Sequence, residues 1–413
     1  MLVIKIETID NEGRGRAECD GWQYAVRGAF PGDEVEAKVE RMFKARKLYV
    51  CRVKHFLKTG PYHIERSCSH KRPCPACPLH GVRESFALEL KRRRIVEALQ
   101  AQKLDFEVES VIRHPDLFGY RQKVKLMASG EPGNIKLGVY IPYSHTFSEA
   151  GACPHVNPEI NQAILDLMAV INKAYVSSLK AVILRAGLEG VAGILITSEP
   201  LPEVIFTESK LLSLTERIQT ESTNSLLGGV LGRHVGANKI KSLEDGQLVD
   251  PDAFCQTDPA QANHMYDLVA DYIWQGQGCY IDAYAGVGGF SKAILKKGSC
   301  EVIQIESNPA ATENPQTVQE ALPKLAALKS IRGLIVDPPK KGLMQEAEPL
   351  ARLGAEKVAL VSCDPESMAR DLKIFIEHGY VVSKIIPMDF FGATPAIETV
   401  ALMYKSGHHE PRA

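Results

Sequence analysis

The chain has 413 residues, 45% of them apolar and 24% charged, with a formal net charge of −1. That length suits two or three soluble domains, and no run of about 18 uncharged apolar residues is present to form a transmembrane helix. Ten cysteines are too few for a disulfide scaffold of this size. The opening MLVIKIETIDNEG alternates like a strand and does not read as an export signal, so reduced thiols and a cytoplasmic location are expected.

Residues 1–57 read as short alternating strands: LVIKIE, AECDGWQYAV, DEVEAKVERMF and KLYVCRVKHF. Turn signals at Asn11-Glu12-Gly13, Asp20-Gly21 and Pro31-Gly32-Asp33 separate them. The spacing predicts a small closed β-barrel of the oligonucleotide-binding type. Eight basic residues against one acid give residues 38–58 a net charge of +7, with Phe43, Tyr49 and Phe56 interleaved. Basic charge with aromatic rings suits phosphates and stackable bases, although a solvated strand face would look the same.

Residues 58–245 open with CSHKRPCPACPLHG, which places Cys68, Cys74 and Cys77 in a Cys-x5-Cys-x2-Cys pattern. Cys153 follows far downstream in EAGACPHVNP. Four thiolates suit zinc or an iron–sulfur cluster, and the spacing alone does not choose. His70 and His80 are expected at the surface rather than as ligands. A helix is expected over 83–100, carrying the basic run Lys91–Arg94. Strands follow in YRQKVKLMA and IKLGVYIP, with a loop at 142–145, a helix over 158–178, and strands at 181–186 and 192–197.

Residues 246–413 alternate strands and helices, the pattern of a parallel α/β sheet with its ligands at the carboxyl ends of the strands. In IDAYAGVGGF a glycine-rich turn leaves a strand, with Asp282 ahead of Gly286 and Gly288. Glu306 ends the next strand, where an acid can take ribose hydroxyls. The full dinucleotide fingerprint is missing, which favours S-adenosylmethionine. VDPPKKG ends a strand on Asp337 and a stiff turn. VSCDP puts Cys363 between a strand and a helix, where the positive helix end is expected to help form a nucleophilic thiolate. A buried structural cysteine is the competing reading. AIETVALM supplies Glu398 before a last apolar strand, as a candidate base.

These stretches together resemble the RNA (uracil-5-)-methyltransferases of the TrmA/RumA group. AFCQTDPAQA is similar to that family's F-x-Q motif, with Phe254 and Gln256. DAYAGVGGF, with Tyr284, resembles its cofactor turn. DPPKKG, VSCDP and IETVAL resemble its D-P-P, S-C-N-P and V-E-T-V-A-L motifs. Residues 1–57 resemble the TRAM domain, a small RNA-binding barrel.

The resemblance implies Cys363 as nucleophile and Glu398 as base. It implies S-adenosylmethionine bound near Gln256, Tyr284, Gly286, Gly288, Glu306 and Asp337. It further implies a [4Fe–4S] cluster on Cys68, Cys74, Cys77 and Cys153, with a structural role. The fold class implied is a multidomain α/β protein: TRAM barrel (1–57), α+β cluster region (58–245) and Rossmann-like methyltransferase domain (246–413). Structured RNA is the implied partner, 23S rRNA ahead of tRNA, bound by a monomer. A degenerate RNA-binding relative is the rival reading. The sequence departs from the family at Asp364, Gly289, Ala396 and Lys340. Only 31 residues separate Glu306 from Asp337, so the sheet is expected to be one strand short, with no residue to name for the adenine.

Overall fold

The computed structural model describes residues 2–65, 68, 74–142, 146–220 and 227–407; His70 and most of the loop expected at 142–145 lie outside these. The chain divides into two compact units. One comprises residues 1–87, 116–247 and 391–395, the other 88–115, 248–390 and 396–413. Compactness groups the first two regions expected from sequence and moves residues 88–115 to the C-terminal unit.

The first unit holds two large sheets. Six strands form the N-terminal one, in the spatial order Leu2–Lys5, Glu34–Phe43, Leu48–Lys58, Trp22–Arg27, Arg14–Cys19, Thr8–Ile9. Its two outermost strands are consecutive pieces of one bent stretch. Residues 2–5 pair with 34–37, while Thr8 and Ile9 pair with Arg16 and Gly15. The bend carries the chain between the edges at Ile6, whose N–H donates to Asp33 O. The result is a half-barrel rather than the fully closed barrel expected, because covalent continuity and not a strand ladder joins its edges. Ile4, Ile6, Val26, Val35, Ala37 and Cys51 fill it.

The second sheet has seven strands, in the order Val230–Gly236, Ser213–Ile218, Gly190–Thr197, Leu179–Gly187, Lys123–Ser129, Lys136–Tyr140, Phe147–Glu149. The helix Pro158–Lys173 lays Ile160, Ile164, Leu167 and Ile171 against it, the i, i+4, i+7, i+11 face of an amphipathic helix.

The C-terminal unit is built on six strands: β1 (Cys279–Ala283), β2 (Glu301–Ile305), β3 (Gly333–Val336), β4 (Lys357–Ser362), β5 (Tyr380–Met388) and β6 (Glu398–Lys405). Their spatial order is β2-β1-β3-β4-β6-β5. The first four are parallel and β6 runs antiparallel between β4 and β5. Between Glu306 and β3 there is one helix, α2 in the numbering α1 (Gly289–Lys297), α2 (Val318–Leu325), α3 (Pro365–Glu377), and no strand. β2 is therefore an edge strand, as the short spacing implied.

The helix Glu84–Ala101 contributes Ile95, Ala98 and Leu99 to this unit's core. Most of its basic run is engaged within the protein. Lys91 is buried and lies 2.5 Å from Asp389, Arg92 Nε donates to Val108 O, and Arg94 pairs with Glu366 at 3.6 Å. No helix among the described residues is long and apolar enough to cross a membrane.

Candidate active site

The carboxyl ends of β1 to β4 and the start of β6 meet at one end of the C-terminal sheet. Antiparallel pairing sets Ser362 opposite Thr399, so the next residue of β4's chain, Cys363, falls opposite Glu398. Parallel pairing of Ala283 with Val336 brings Asp337 level with Tyr284. Asp364 then caps α3. Its side chain accepts from Ser367 N at 3.1 Å, and Pro365 takes the first helical position, where no N–H is needed. The same Asp-Pro device, Asp258-Pro259, starts the helix Pro259–Ile273 just after the F-x-Q motif. Gln256 of that motif is buried and Phe254 is exposed.

The glycine-rich turn takes the left-handed backbone that its sequence requires, with φ of +54° at Gly286 and +81° at Gly288. Tyr284 shares it at +63°, a strained conformation for a side-chain-bearing residue, and its hydroxyl donates to Glu346 at 3.0 Å. Glu306 fastens the turn from the next strand, accepting from Gly286 N at 2.8 Å and Asn308 N at 2.6 Å. A carboxylate has about four lone-pair sites, so two N–H donors leave it able to accept hydroxyl groups. A Cβ on Gly286 would meet nothing within 4 Å, so that face of the turn is open to a ligand. Gly289 has a local cause. A Cβ there would lie 2.6 Å from Tyr266 Cε2 and 2.8 Å from its hydroxyl. The Tyr266 ring fills the space that an Asn side chain would occupy.

The electrostatics are dominated by acids. Asp282 is fully buried; one carboxylate oxygen accepts from Ser291 N at 3.0 Å and Ser291 Oγ at 2.6 Å. Burial still pushes its pKa up to about 6, Ser291 offsets part of that, and Glu306 adds to it. Asp337 is pushed up to about 7 by burial and by Asp282. Glu398 is raised well above the carboxylate range by burial and by Asp337. The Cys363 thiol is pushed up to about 11, first by burial and then by Glu398, Asp337 and Asp364. This is opposite in direction to the help expected from the helix end: desolvation and three acids outweigh one helix terminus. The row can concentrate positive charge and hold protons. Asp282, Ser291 and Asp364 are absent from the residue set drawn from the motifs, although the Asp-x-x-x-Gly-x-Gly spacing pointed to the first.

In the first unit Cys74 and Cys77 feel the charges of the other cysteines of the set. The Cys77 thiol is pushed up to about 12 by burial, then by Cys74, Cys153 and, more weakly, Cys68, against the Arg121 cation. Cys74 is raised mainly by burial, with Cys153 and Cys68 contributing. Cys68 N–H donates to His80 Nε2 at 3.2 Å, so His80 supports the cysteine segment through its backbone. Among the described residues, no three ligand-type side chains close around a single metal ion. All four thiols are free and half-buried.

No family model matches the chain. It is 27% identical over 442 residues to a protein named an uncharacterized RNA methyltransferase from Clostridium tetani, covering 97% of this chain and 95% of that one. A likewise named protein of Gloeobacter violaceus is 28% identical over 452 residues, covering 98% and 96%. Among solved structures, the tRNA (uracil-54, C5)-methyltransferase of Pyrococcus abyssi in complex with S-adenosyl-L-homocysteine superimposes with a TM-score of 0.74. That match has 24% identity over 97% of this chain and 100% of that one. Over 97% or more of its length the chain is similar to proteins named RNA methyltransferases, and it shares the fold of the Pyrococcus abyssi structure.

Proposed function

We infer that the protein methylates C5 of a uridine in RNA, using S-adenosylmethionine. The observation that carries this reading is the strand register that sets Cys363 opposite Glu398 at the end of the sheet bearing the glycine turn. C5 of uracil is a poor nucleophile. Cys363 loses its thiol proton to solvent, and addition of the thiolate to C6 turns C5 into an enolate-type carbon able to take a methyl group. S-adenosylmethionine supplies that methyl as an electrophilic sulfonium. Glu398 then removes the C5 proton, and the Cys363–C6 bond breaks to release the thiolate. A raised pKa makes Glu398 a stronger base once ionised. Gly286 and Gly288 would leave room for the methionine end, and Glu306 would accept from the ribose hydroxyls. Gln256, Tyr284 and Asp337 would line the remainder, with the acidic row favouring a sulfonium cation.

The half-barrel is read as a TRAM domain that binds RNA, and Cys68, Cys74, Cys77 and Cys153 as the ligands of a [4Fe–4S] cluster that braces the fold. Residues 1–57, 58–245 and 246–413 would be its functional segments. With both features present, 23S rRNA is favoured over tRNA as substrate, acted on by a cytoplasmic monomer. The missing edge strand between Glu306 and β3 favours a second reading, an RNA-binding relative with little turnover. RNA containing 5-fluorouridine separates the two. The enzyme reading expects a covalent complex with wild type and none with Cys363→Ala, because fluorine cannot leave as a proton does. A trapped Cys363→Ala protein would exclude the mechanism. Mass mapping of 5-methyluridine in rRNA and tRNA from a deletion strain would name the substrate.

A further inference from the structure

An exposed Phe in a loop ordinarily needs no explanation. Phe118 differs because the protein holds its ring out. It is 59% exposed and stacks on His155, with ring planes 8° apart and centroids 6.5 Å apart. His155 is 5% exposed and is itself wedged edge-on to His80 at 5.7 Å and beside Tyr120 at 5.9 Å. Its Nδ1 lies 2.6 Å from Leu117 O. The backbone on both sides of Phe118 is fixed. Phe118 N donates to Asp116 Oδ1, Gly119 N to Pro154 O at 2.8 Å, Arg121 N to His155 O at 2.9 Å, and Asn157 N to Arg121 O. These bonds hold the backbone that carries Phe118, and its ring lies parallel to and offset from the buried His155 ring while 59% of the residue meets solvent. Arg121, three residues on, supplies a cation that is felt at Cys74 and Cys77.

We propose that Phe118 is a stacking platform for one unpaired nucleobase of the substrate RNA, held in place by the segment that follows Cys153. An exposed aromatic ring supported by a buried neighbouring ring offers a surface on which an unpaired base can stack. The platform rests on the reading of the protein as an RNA methyltransferase and adds to it a contact outside the C-terminal unit.

The test is filter binding and methyl-transfer kinetics with total rRNA and, separately, total tRNA from a deletion strain. Phe118→Ala is expected to raise Kd and KM for the productive RNA by about 5- to 150-fold, the range for loss of one base stack. The rate at saturating RNA and the thermal midpoint should stay at wild-type values, and Phe118→Trp should restore binding. Unchanged Kd and KM in Phe118→Ala would overturn the platform and leave the ring for a protein contact, while the methyltransferase reading stood. An equal loss in Phe118→Ala and Phe118→Trp would also overturn it, since stacking would not be the cause. A wild type that binds RNA but makes no 5-methyluridine would sink the proposed activity, and the binding measurements would still decide on Phe118.

Discussion

Replacing Asp282 with Asn tests the acidic row through stability, independently of activity. Asp282 is fully buried with a pKa of about 6 against an ordinary 3.8. A carboxyl group whose pKa is raised on folding stabilises fully below its unfolded value and loses that contribution as pH rises through its folded value. The whole shift corresponds to about 3 kcal/mol, of which about 2 kcal/mol falls between pH 4.5 and 7.5. Asn keeps an oxygen for Ser291 but puts an amide N–H2 where the other carboxylate oxygen, which has no hydrogen-bond partner, now sits. A buried donor without a partner costs about 1–3 kcal/mol, and that cost does not vary with pH. The slope is therefore the diagnostic quantity.

The stability of Asp282→Asn relative to wild type should rise by about 2 kcal/mol across that window. The rise grows further if Asp337, itself raised by Asp282, relaxes downward. Lys91, whose pKa burial lowers, acts in the opposite sense and cancels in the comparison. Urea unfolding in a Trp22→Phe background reports on this unit through Trp274, which stacks on Tyr280 at 5.7 Å. Parallel stability curves for the two proteins would refute the row of buried, mutually repelling acids.

Glu398→Gln should accumulate a methylated RNA–protein adduct, seen as a slowly migrating band, because elimination loses its base; free product at the normal rate would remove Glu398 from that role. Glu306→Ala removes an acceptor for two backbone N–H groups, each worth about 1.5–3 kcal/mol when the acceptor is charged. Calorimetry should find S-adenosylmethionine binding weakened at least about tenfold, corresponding to 1.4 kcal/mol. Gly289→Asn should destabilise by about 1–3 kcal/mol through overpacking against Tyr266, and adding Tyr266→Ala should recover part of the loss.

Much of the molecule is written in short contiguous signals. Alternating strands, glycine turns and Asp-Pro helix starts depend on neighbouring residues, so 258–259 and 364–365 could be read as helix starts without a fold. The missing strand after Glu306 was legible as a plain shortage of chain. Placing Asp282, Glu306, Asp337 and Cys363 at strand ends followed from the same local pattern. What the tertiary structure alone decided depends on groups far apart in the chain. Lys91 meets Asp389, 298 residues on, which ties the helix Glu84–Ala101 to the C-terminal sheet. Ile6 bends one strand across both edges of a sheet and makes a half-barrel. Tyr266 occupies the space beside Gly289. The raised pKa of Cys363 was not legible in the sequence for the same reason. The helix that follows it is local and visible in sequence, whereas desolvation and the charges of Glu398 and Asp337 exist only once separate strands have been brought to one end of the sheet.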